Sequence, residues 1–97
     1  MTKLTDGELR LFLDEQDGWK HLGNAIHKEF RFPGFSGAIA FVNRVAELAE
    51  AAGHHPDIEI HYNRVVISLS THDEGGVTEK DVELAESIDA ATGTAGG

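Results

Sequence analysis

His54, His55 and His72 are the residues of this sequence with the greatest chemical reach, with Glu50 four positions before His54 and Pro56 directly after His55. Imidazole is the one side chain that both donates and accepts protons near neutral pH without a special environment. Three imidazoles meeting a carboxylate suit general acid–base catalysis. They suit a zinc or iron(II) site equally well. The chain has six histidines, and four of them fall between positions 54 and 72, so the question turns on which elements carry them and where those elements meet.

The totals narrow the classes of function. Ninety-seven residues make one domain, taken as residues 1–97 with a frayed tail over 92–97. Seventeen acidic against eight basic residues give a net charge of −9, which opposes phosphate backbones and anionic membranes alike. Nucleic acid and membrane are therefore not expected as partners. The absence of cysteine removes disulfides, thiolate metal sites and a cysteine nucleophile. No apolar run approaches the ~20 residues of a membrane span. The first residues, Met1-Thr2-Lys3-Leu4-Thr5-Asp6, hold no apolar signal core, so a cytoplasmic protein is expected.

The elements follow from pattern. Thr5 and Glu8 form a capping box that opens a helix to Glu15, with Leu9, Phe12 and Leu13 as its apolar stripe. Two strands, Trp19–Leu22 and Ala25–Phe32, flank the turn pair Gly23-Asn24. Ile26, Lys28, Phe30 and Phe32 share one face of the second strand, where Lys28 breaks the alternation. Phe35–Ala52 is the strongest amphipathic helix, closed by Gly53. Ile58–Tyr62 and Val65–Leu69 read as a hairpin about Asn63-Arg64, then a loop runs from His72 to Val77, and a last helix runs from Thr78 to about Ala90. The order α-β-β-α-β-β-α predicts an α+β fold, a four-stranded antiparallel sheet with helices packed on one face.

The second hairpin decides the histidine question geometrically. If its strands pair, the end of the second returns beside the start of the first, and His72 comes next to His54 and His55. Glu50 lies on the last turn before them, and Pro56 stiffens their backbone. Acid–base machinery and a metal site both remain open from the residues alone, although Gly53 ends the helix before Glu50 and His54 can act as an i, i+4 ligand pair. Thr78 and Asp81 fit a second capping box, which also places Asp81 near the loop of His72. His21, His27 and His61 read as surface or strand residues. Trp19 reads as core, with the alternative of stacking on a flat heterocycle.

The series Glu50-x-x-x-His54-His55-Pro56, Tyr62-Asn63, Leu69-Ser70-Thr71-His72 and Thr78-Glu79-Lys80-Asp81 resembles the pterin-4a-carbinolamine dehydratase family. Gly18-Trp19, Phe30-x-Phe32 and Phe41-Val42-x-Arg44-Val45-Ala46 extend the likeness over about Leu4 to Ala91. The resemblance implies dehydration of a 4a-hydroxytetrahydropterin to the quinonoid dihydropterin, in recycling of tetrahydrobiopterin for aromatic amino-acid hydroxylases. It implies His54, His55 and His72 as the active-site histidines, Glu50 and Asp81 as supporting acids, and Trp19 near the pocket. It further implies no metal, no organic cofactor, and a homo-oligomer, dimer or tetramer. Two other readings stay beside it: a non-catalytic dimerisation or assembly factor on the same fold, and a small His-rich metal-binding protein. Gly53 and Ile58 depart from the family's usual polar and aromatic residues there, which bears on pocket shape.

Overall fold

Thr5 begins the first helix by the expected reciprocal cap: its hydroxyl accepts the Glu8 amide at 3.1 Å, and the Glu8 carboxylate accepts the Thr5 amide at 2.8 Å. The computed structural model describes residues 2–96. Helix α1 (Asp6–Glu15) leads to strands β1 (Lys20–Leu22) and β2 (Ala25–Arg31), helix α2 (Phe35–Ala52), strands β3 (Asp57–His61) and β4 (Arg64–Leu69), and helix α3 (Glu79–Gly96). All strand pairs are antiparallel, in the spatial order β1-β2-β4-β3. The chain thus has the expected α+β order.

Strand periodicity separates two faces of the sheet. Ile26, Phe30, Val65, Ile67 and Leu69 point inward and join Leu9, Phe12, Ala38, Phe41, Val45, Ala49, Leu84, Ala85 and Ile88 in one core. On the far face, Glu29 pairs with Arg31 at 2.7 Å and with Arg64 at 3.4 Å. One face is dry and covered by helices, the other polar, as an antiparallel sheet permits.

Beyond one-residue shifts at the ends of elements, three features differ from the sequence expectation. The β3–β4 turn is Tyr62-Asn63, one residue earlier than Asn63-Arg64, and Tyr62 takes φ 56°. Asn63 fixes this position, because its side-chain amide donates to the Phe32 carbonyl and its own carbonyl accepts the Phe32 amide, both at 2.9 Å. The resulting register sets Ile58 against Ile67 and Ile60 against Val65, so the apolar residues keep their face. The expected loop after β4 contains a 3₁₀ turn, His72–Glu74, ended by Gly75 in the left-handed region at φ 73°. The last helix continues past Ala90 to Gly96, and Thr92 Oγ1 donates to the Ile88 carbonyl at 2.9 Å along it. Of the tail expected to fray, Gly97 lies outside the described residues.

Lys28, the residue that breaks the alternation of β2, is on the inner face for a reason. Its ammonium meets Asp89 Oδ1 of α3 at 2.7 Å and lies 4.9 Å from the Phe30 ring centroid. The other carboxylate oxygen accepts the Trp19 indole N–H at 2.8 Å. Asp89 therefore satisfies two donors that would otherwise be stranded at the edge of the core. Asp89→Ala should lower stability by about 2–4 kcal/mol, because it leaves a partly buried ammonium and an indole N–H without acceptors. Urea denaturation followed through Trp19 fluorescence checks this, and a loss under 1 kcal/mol would show that water replaces the carboxylate.

Candidate active site

The site forms where the end of α2, the end of β4 and the start of α3 converge. Gly53 stops α2 in the left-handed conformation (φ 64°, ψ 29°), and the His54 amide turns back to the Ala49 carbonyl at 3.1 Å. The chain then passes through His54, His55 and the half-buried Pro56 before β3 begins at Asp57. On β4 the inward positions are Val65, Ile67 and Leu69, and the same alternation carried two residues further gives Thr71. Ser70 and Thr71 end the strand, and His72 opens the 3₁₀ turn.

These segments border an open-sided cavity of about 350 Å³ lined by His54, His55, His72, Ser70, Thr71 and Lys80, together with Gly53 and Asp73. The three histidines singled out in the sequence share this one cavity. His21, His27 and His61 are not among its lining residues.

Two of the three imidazoles are held by carboxylates through the same ring nitrogen. His54 Nε2 lies 2.5 Å from Asp81 Oδ1, and His55 Nε2 lies 2.5 Å from Glu50 Oε2. Their environments are opposite. The His54–Asp81 pair is buried, with side chains 12 % and 0 % exposed, whereas the His55–Glu50 pair is 65 % and 76 % exposed. Coulombic attraction between partners is screened strongly in the second pair and weakly in the first. In both, the carboxylate fixes which nitrogen it holds and leaves Nδ1 for other chemistry.

Asp81 can remain buried because it is fully supplied with donors. Its Oδ2 accepts the Thr78 amide and the Thr71 hydroxyl, each at 2.9 Å. The first of these is half of the expected capping box. The Thr78 hydroxyl accepts the Lys80 amide at 3.3 Å instead of the Asp81 amide. Asp81 therefore ends β4, starts α3 and anchors His54 at once.

Not every expected residue joins the cavity. Trp19 is 4 % exposed among Phe12 and Phe30, its N–H is taken by Asp89, and it is absent from the lining. Its core reading is the one the burial shows. Glu50 reaches the site only through His55, and Pro56 only through the backbone of its neighbours. The sequence assigns Thr78 a capping role only and gives Ser70, Thr71 and Lys80 no role of their own; the β4 alternation is the available signal for Thr71. As for a metal, two of the three imidazoles have Nε2 committed to carboxylates. Among the described residues no three His, Asp or Glu side chains gather in a ligand-like group.

Comparison with known proteins adds an independent line. The sequence model of the family described as pterin 4 alpha carbinolamine dehydratase matches residues 2–91. A protein of Roseiflexus sp. (strain RS-1), provisionally named pterin-4-alpha-carbinolamine dehydratase, is 54% identical over 88 residues, covering 91% of this chain and 95% of its own. One from Sulfurisphaera tokodaii with the same provisional name is 48% identical, covering 92% and 96%. Among solved structures, a transcriptional coactivator/pterin dehydratase from Brucella melitensis superposes with a TM-score of 0.88 at 40% identity, covering 92% of this chain and 97% of its own. A pterin dehydratase-like protein identified as a RuBisCO assembly factor in the alpha-carboxysome superposes at 0.62 with 26% identity, covering 74% and 83%.

The two carboxylates should separate in a stability measurement. Asp81→Ala removes the acceptor of three donors from a site without solvent and is expected to cost about 3 kcal/mol or more. Glu50→Ala lies in solvent and should stay within about 0.5 kcal/mol of the parent. Paired urea titrations read the difference directly; equal effects would mean that burial does not distinguish the two pairs.

Proposed function

The chain belongs to the pterin-4a-carbinolamine dehydratase family, and we propose that it dehydrates a 4a-hydroxytetrahydropterin to the quinonoid dihydropterin and water by histidine acid–base catalysis. The 4a-hydroxyl leaves readily only after it gains a proton, and a ring nitrogen loses its proton as the C=N bond forms. An imidazolium and a neutral imidazole at one cavity supply both transfers. The proton count closes: one proton joins the departing hydroxyl to make water, and one passes from the ring nitrogen to the base. The observation that carries this reading is the meeting of His54, His55 and His72 at a single cavity, two of them anchored through Nε2 to carboxylates.

In this scheme His54 and His55 stand nearest the 4a centre, and His72 is a further acid–base group or a hydrogen-bond partner of the pterin. Asp81 and Glu50 orient the first two. The residues need no resident metal or organic cofactor. The reaction serves recycling of tetrahydrobiopterin in the cytoplasm, and the protein works as a homodimer or homotetramer. The exposed Ile60, Tyr62 and Phe35 along the β3 side of the sheet support an assembly that covers that edge.

A second reading draws on the relatives that are described as a transcriptional coactivator and as an assembly factor. Here the same fold would act as a partner of another protein, without need of the histidines. The carboxylate-anchored rings favour chemistry over that role.

A turnover assay on enzymatically generated 4a-hydroxytetrahydropterin distinguishes the readings. Chelator-treated protein should retain its rate, and His54→Ala and His55→Ala should each lower kcat by about 10²–10⁴, with His55→Ala keeping the parent's stability and His54→Ala losing some because Asp81 Oδ1 is left without its donor. Dependence on added zinc or iron would overturn the mechanism. A His54→Ala/His55→Ala double variant that still supports the cellular role of the protein would favour the partner function.

A further inference from the structure

The two threonines behind Asp81 have no part in the chemistry above, yet their hydrogen bonds admit only one arrangement of protons. A hydroxyl has one proton to give, and an ionised carboxylate has none. Thr71 Oγ1 donates to Asp81 Oδ2 at 2.9 Å. Its 2.8 Å contact with Thr78 Oγ1 must then be one in which Thr78 donates. Thr78 Oγ1 in turn accepts the Lys80 amide at 3.3 Å. The chain runs one way, from the Lys80 N–H through Thr78 and Thr71 into Asp81 Oδ2, which also takes the Thr78 amide.

This occupancy has a consequence for His54. With Oδ2 doubly supplied and Asp81 wholly buried, Oδ1 is left to the His54 Nε2–H at 2.5 Å. Nδ1 of His54 has no protein partner among the described residues. Among the described residues no buried side-chain nitrogen or oxygen is left unpaired, so Nδ1 keeps some contact with solvent. We propose that Thr71 is a positioning residue: by holding Asp81 Oδ2 it stops the carboxylate from turning and aims Oδ1 at His54, and that oxygen keeps the His54 proton on Nε2, so that every proton His54 gives or takes in turnover passes through Nδ1. The proposal deepens the acid–base reading and rests on it for its effect on rate, but its structural part is visible without turnover.

The test uses the full chain with ¹⁵N-labelled histidine. In the parent, neutral His54 should show a protonated Nε2 and a bare Nδ1 in its ring ¹⁵N shifts. Thr71→Val, which keeps the size but removes the hydroxyl, should shift neutral His54 toward a mixture of tautomers. It should also lower kcat about tenfold, the rate equivalent of one hydrogen bond to a charged group, with KM little changed. Thr71→Ser should restore both the shifts and most of the rate. If Thr71→Val does not fold, Thr71→Ala, which also removes the donor, carries the same expectation. Parent-like ring shifts in the hydroxyl-free variant, or a Thr71→Ser variant that behaves like Thr71→Val, would overturn the proposal. Absence of turnover in the parent, with the shift pattern as expected, would instead remove the catalytic reading and leave the positioning intact.

Discussion

A carboxylate with no exposed surface joins three parts of this molecule. Asp81 sits on the first turn of α3, accepts a hydroxyl from the end of β4 and holds His54, the second residue after the end of α2. Such a group is tolerable only when each of its oxygens is directed at a donor. That condition ties the relative placement of three elements to one side chain. The cavity wall at His54 is therefore as rigid as the packing around it, and the ring's orientation is settled by the fold before any ligand arrives.

The same physical solution appears further along α3. Asp89 gathers the Lys28 ammonium and the Trp19 indole, both from the first hairpin and the segment before it. Two carboxylates eight residues apart on one helix thus fasten it to the two halves of the sheet, one through a lysine and an indole, the other through threonines and a histidine. The apolar contacts of Leu84, Ala85 and Ile88 between them supply the burial, and the acids supply the register. The placement of the cavity and the anchoring of the sheet share one helix.

The contrast between the two histidine–carboxylate pairs defines the chemistry of the cavity. A buried, multiply bonded pair offers a ring of fixed orientation. A pair in open solvent can turn, exchange protons with water and follow a substrate. Acid–base chemistry that moves one proton in and another out gains from such asymmetry, since the two groups need not occupy the same protonation state at the same time. Lys80 and His72 complete the wall from α3 and the 3₁₀ turn.

Local physics explains what the sequence determined by itself. The capping box at Thr5, the stripe of α2, the left-handed Gly53 and the alternation of β4 each rest on residues a few positions apart, so helix and strand identity, element order and the approach of His72 to His54 and His55 were all legible. Only the tertiary structure decided the partnerships. Spacing placed Glu50 one turn before His54, yet Gly53 redirects the chain so that Glu50 meets His55 while His54 turns to an acid 27 residues away. Lys28 read as a flaw in a strand because its acceptor lies 61 residues further along the chain, and Thr71 was silent because the carboxylate it supplies belongs to another element. Trp19 was drawn into the core by Asp89. Periodicity records which face of an element is dry; which buried polar groups meet there depends on how whole elements dock, and no local pattern carries that information.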